Sequence, residues 1–165
     1  MESSGTITNQ SYPKLIADIL FCLIVGSLGS LVTITGPGSW YDSLHKPFFA
    51  PPNWVFAPVW ITLFILMGIA LYLVWQSGTE NRDVQIALGI FGVQFILNVI
   101  WSFLFFGLRS PLLALTDIIL LWIMIAATIG AFYRVKKSAA YFLIPYIAWV
   151  TIATALNGAV YFMNP

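Results

Sequence analysis

The sequence predicts an all-α membrane protein, a bundle of five transmembrane helices with a long first loop acting as a lid. Three observations predict it. Of the 165 residues, 60% are hydrophobic and only 8% are charged, against about a quarter charged in a soluble domain, so lipid rather than water must solvate the surface. Five apolar stretches, at about 15–36, 54–75, 84–107, 111–133 and 139–162, each approach or exceed the roughly 20 residues that cross a hydrocarbon core. Between the first two lies a run of aromatics and prolines, Trp40 to Trp54.

Backbone groups in lipid must be satisfied within the segment, so apolar runs of this length are helices. No segment keeps the strict alternation of a membrane strand. The first stretch reads as a retained span: its apolar part exceeds the roughly 7–15 residues of a signal-peptide core, and only Lys14 flanks it. Residues 1–13 are a polar tail to one domain spanning 1–165. In the first loop Pro47, Pro51 and Pro52 fix φ and remove donors, which predicts a stiff, non-helical segment able to roof a cavity. The later loops are short, so neighbouring helices are antiparallel. Lys14, Arg82, Arg134, Lys136 and Lys137 fall on one side, Lys46 and Arg109 on the other. This bias places the N-terminus in the cytoplasm and the aromatic loop opposite.

Composition excludes several functions. The net charge of +1 comes with no basic stripe to neutralise phosphates, which argues against nucleic acid. The lone Cys22 forms neither an internal disulfide nor a thiolate cluster. No metal site, required cofactor or catalytic grouping is legible, and His45 reads as a solvated loop residue.

Inside the spans, Gln94, Asn98 and Ser102 recur every four residues beside Trp101 and Phe105. This polar stripe must face the bundle interior. It either bonds to neighbouring helices or presents an amide to a ligand. A second stripe, Pro145, Trp149, Ala153 and Asn157, combines a kink-forming proline with a ring beside a small-residue gap. Trp60 and Phe64 share a face of the second span, while Trp54 and Trp75 suit the interfacial belts. Gly26, Gly29 and Ser30 form a small-residue face for an intramolecular or subunit contact. Asp18 falls at the membrane interface. Asp117 is the deepest carboxylate: an intramembrane acid is a functional candidate, and Thr116 beside it with the helix entry at Pro111 offers a structural hydrogen-bonding role as the equal alternative.

These motifs together resemble the TspO/MBR family of tryptophan-rich sensory and translocator proteins. The matching pieces are Trp40-Tyr41, Leu44, Lys46-Pro47 and Pro51-Pro52 in the loop, and Val59-Trp60 in the second span. Gln94, Leu97-Asn98 and Trp101-Ser102 follow, then Pro145-Tyr146, Trp149, Ala153-Thr154 and Leu156-Asn157. The resemblance implies a homodimeric five-helix bundle in a lipid bilayer that binds porphyrins such as protoporphyrin IX or haem, and other flat apolar small molecules. It implies a pocket of Trp60, Asn98, Trp149 and Ala153 under a lid of Trp40, Tyr41, Pro47 and Pro51. The spacing analysis adds Phe64 and Trp101. Phe48-Phe49 stand where many relatives carry tryptophan, and Tyr161 to Pro165 lacks the base of a proposed sterol pattern. The expected role is receptor or carrier. The alternatives are photo-oxidative porphyrin breakdown and a structural partnership in a membrane complex.

Overall fold

The computed structural model describes residues 11–165. The expected tail lies outside them, except that 11–13 already belong to the first helix. All five spans are present, as Tyr12–Leu31, Asn53–Trp75, Arg82–Gly107, Pro111–Val135 and Lys137–Met163.

Helix α1 (Ser11–Gly26) tightens into a 3-10 turn over Ser27–Leu31. The first span therefore ends short of the expected residue 36. Val32 N–H bonds to Gly29 O at 3.3 Å and the Thr33 hydroxyl donates to the same carbonyl at 2.8 Å, which consumes the acceptor a continuing helix would use.

The aromatic loop is not wholly non-helical. Trp40–Ser43 forms a one-turn helix, α2. Ser39 Oγ accepts from Asp42 N–H at 3.2 Å, and Asp42 Oδ2 accepts from Gly38 N–H at 3.0 Å, a local cap that stabilises the turn before the prolines stop it. Helix α3 (Asn53–Trp75) starts directly after Pro52, with Pro58 still in its early turns. Helix α4 (Arg82–Ser102), capped by Asn81, widens into a π-turn over Phe103–Gly107. Arg109, at φ 51°, reverses the chain, and Ser110 caps α5 (Pro111–Val135). The fifth span is broken as its proline requires: α6 (Lys137–Phe142) ends, Leu143 turns, and α7 (Ile144–Met163) resumes with Pro145 near its start.

The spans close into a ring. Helix α1 packs on α3, α3 on α6, α6 and α7 on α5, and α5 on α4; α4 returns to the turn after α1. Away from the lid the interior is tightly filled. Phe91 stacks on Phe132 at 5.7 Å between ring centroids, and Ala139 and Ala140 are buried. Gly68 brings α3 against the backbone of α1: a Cβ there would lie 2.5 Å from Ile19 Cα. The neighbouring Asp18 is buried by this packing. The small-residue face of the first span also serves contacts within the bundle, Gly26 against Phe64 and Gly29 against Ser102.

Candidate ligand cavity

Toward the lid the helices part around a cavity of about 420 Å³. Two aromatic pairs on different helices flank it. On α3, Trp60 stacks on Phe64 at 5.5 Å with planes 27° apart. On α4 and its π-turn, Trp101 stacks on Phe105 at 5.2 Å and 22°. Offset stacks of this kind present flat apolar faces. The Trp101 ring is fixed in orientation, because its indole N–H donates to Asn157 Oδ1 at 3.0 Å and Asn157 Nδ2 donates to Pro111 O at 2.9 Å. Ala153 and Leu156 complete the α7 wall.

The polar stripe of α4 divides its work. Gln94 is fully buried and serves the bundle: Tyr146 O–H donates to its Oε1 at 2.9 Å. Asn98 does both jobs. Its Nδ2 donates to Tyr146 Oη at 2.9 Å, and the residue also borders the cavity at 5% exposure. Ser102 lies on the cavity wall as well. The network satisfies these amides only in part, because Gln94 Nε2 is buried with no partner among the described residues.

The roof comes from fewer loop residues than expected. Tyr41 faces the cavity, is buried, and packs against Phe105 and Phe106. Burial pushes its phenol above the ordinary tyrosine range. Asn53, Phe56 and Ala57 at the start of α3 supply the rest. Trp40 supports from behind, edge-on to Phe105 at 5.6 Å. Pro47 and Pro51 shape the loop and do not border the cavity. Phe48 and Phe49 form an edge-to-face pair turned outward, Phe48 fully exposed, so they add nothing to the roof.

Trp149 also stands behind the wall. Its ring meets Phe56 edge-on at 5.8 Å, and Phe56 faces the cavity. The other side of Trp149 borders a separate lipid-facing groove of about 490 Å³ between α3 and α7, beside Pro58, Thr62 and Pro145. Its indole N–H is buried with no partner among the described residues. Asp117 is buried in α5, and its Oδ2 likewise has no partner among them. The Thr116 hydroxyl donates instead to Leu112 O at 3.1 Å. No cluster of metal-ligating side chains occurs among the described residues, and His45 is exposed.

Sequence reasoning missed five contributors. Tyr146 joins Asn98 to Gln94, but it lies off the four-residue stripe of α7. Phe56 is one of many apolar residues in its span. Ser27, Ser30 and Thr33 border the cavity from the end of the first span; their three-residue spacing, the period of a 3-10 turn, was the available signal.

The sequence profile of the TspO/MBR family matches residues 19–163. The chain is 45% identical over 158 residues to the tryptophan-rich protein TspO of Chlorobaculum tepidum, covering 95% of this chain and 99% of that one. It is 39% identical over 143 residues to the translocator protein of Sus scrofa, covering 84% and 85%. It is 34% identical over 149 residues to the tryptophan-rich sensory protein of Cereibacter sphaeroides, covering 90% of each. With five membrane-spanning helices around an aromatic cavity, and a profile match running from the first span to the last, this chain belongs to the TspO/MBR family.

Proposed function

We propose that this multi-pass membrane protein is a receptor or carrier for flat, largely apolar molecules, porphyrins such as protoporphyrin IX or haem among them. The observation that carries the reading is the pair of aromatic stacks, Trp60–Phe64 and Trp101–Phe105, flanking one cavity beside Asn98. Mostly apolar pockets of some 300–1,000 Å³ with a few fixed polar groups suit ligands of this kind. The family's sensory and translocator names are in keeping with a ligand-responsive role. The basic residues gather at the end away from the lid, which favours a lid on the outer side of the membrane.

Titration of the purified protein with protoporphyrin IX, followed by tryptophan fluorescence, tests the reading. Saturable quenching is expected, with affinity at least tenfold weaker in Trp60→Ala. Trp149→Ala acts through Phe56 and costs less. Absence of saturable quenching, or unchanged affinity in Trp60→Ala, overturns it.

A further inference from the structure

The hydroxyls of the first span have a fixed polarity. Ser27 Oγ–H donates to Leu23 O at 2.5 Å, Ser30 Oγ–H to Ser27 O at 2.6 Å, and Thr33 Oγ1–H to Gly29 O at 2.8 Å. A carbonyl only accepts, so each hydroxyl has spent its single proton on the backbone. Lone pairs are what it has left. All three residues border the cavity, Ser27 and Ser30 from exposed positions in the 3-10 turn and Thr33 half-buried just past it. Across from them Asn98, 5% exposed, commits Nδ2 to Tyr146 and leaves Oδ1 without a partner among the described residues. Among the described residues no Lys, Arg, His, Asp or Glu borders the cavity, and residues 1–10 contain no Lys, Arg or His.

We propose that Ser27, Ser30 and Thr33 form an acceptor edge that sets ligand specificity, selecting flat molecules whose buried rim carries N–H or O–H donors and rejecting those that would bury a carboxylate there. This rests on the cavity reading above and names the ligand chemistry it serves. A carboxylate against this wall meets oxygen lone pairs, loses its hydration and gains no counter-charge. A donor on the rim replaces the water bonds it gives up. Carboxylates on a ligand are left at the lid, where Lys46 Nζ lies 4.5 Å from the Tyr41 ring centroid.

Three pyrenes of one shape test this: aminopyrene, methylpyrene and pyrenecarboxylate, with binding to the purified protein read by tryptophan-to-pyrene energy transfer at neutral pH. Aminopyrene is expected to bind about tenfold tighter than methylpyrene, and pyrenecarboxylate at least tenfold weaker than methylpyrene. In the combined variant Ser27→Ala, Ser30→Ala, Thr33→Val, aminopyrene should fall to the affinity of methylpyrene, whose own binding stays saturable and no weaker and so reports an intact cavity. Ser30→Ala alone, at an exposed position, should lose about threefold for aminopyrene only. Equal binding of all three pyrenes, or an amine preference that survives both variants, overturns the acceptor edge while leaving the cavity standing. No saturable binding of methylpyrene removes the cavity reading and the acceptor edge together.

Discussion

The side-chain amide of Asn164 holds both backbone groups of His45. His45 N–H donates to Asn164 Oδ1 at 2.9 Å, and Asn164 Nδ2 donates to His45 O at 3.0 Å and to Val160 O at 2.8 Å. The loop over the cavity is thus tied to the end of α7, 119 residues away in sequence. Asn53 Nδ2 makes a second tie, to Thr35 O at 2.9 Å.

Cutting the first tie should loosen the loop without unfolding the bundle. Asn164→Ala removes hydrogen bonds worth about 0.5–1.5 kcal/mol each. Stopped-flow release of a bound fluorescent ligand is expected to quicken roughly tenfold, with amide exchange faster at His45 and Lys46 and unchanged in α5. Equal release rates in the two proteins would show that the tie does not hold the lid.

The Asn98–Tyr146–Gln94 chain predicts an asymmetric response. Tyr146→Phe keeps the ring and its packing but strands two buried amides, at a cost of about 1–3 kcal/mol. Thermal unfolding in detergent should show a clear loss of stability. Adding Gln94→Leu to that variant should recover part of it, since one stranded amide is then gone. Loss of the same size in single and double variants would contradict the network.

Glycines separate contact from open space. Gly68→Ala drives a methyl into the backbone at Ile19, an overpacking expected to cost about 1–3 kcal/mol. At Gly89 nothing lies within 4 Å of an added Cβ. Gly89→Ala should be neutral or stabilise by about 0.4–1 kcal/mol. Comparing the two melting temperatures checks the α1–α3 contact.

Tyr41 gives the loop a pH dependence. Its phenol is held above the ordinary range by burial, so the folded loop favours the neutral form. That stability is fully present below the unfolded tyrosine value, about 10, and is lost as pH rises through the higher folded value. Ligand release should therefore quicken only in alkali. Tyr41→Phe should remove the tyrosine-linked part of that step. A release rate flat across the alkaline range in the native protein would refute it.

Five helices and their antiparallel order were legible because lipid leaves a backbone so few alternatives. The Asn98 stripe was legible because a polar residue in a membrane helix must face inward. Which amide borders the cavity and which one only braces was not, since Gln94 and Asn98 share one face of α4. The placement of Trp149 behind Phe56 depends on the α6–α7 break, whose angle no sequence period encodes. The outward turn of Phe48 and Phe49 was not legible either, because loop direction depends on long-range ties such as His45–Asn164, which join distant residues.

The π-turn at Phe103–Gly107 carries a consequence for how such chambers arise. Leu108 N–H reaches back to Phe103 O at 2.8 Å, which means the coil holds one surplus residue. Phe105 and Phe106 are sequence neighbours, yet both border the hollow. A single-residue deletion there would rephase everything from that point to Arg109 and withdraw one ring, leaving the far half of the bundle untouched. Chamber size is therefore open to change by insertion and deletion at one turn, at the expense of the packing around Phe105 but not of the Phe91–Phe132 half of the bundle.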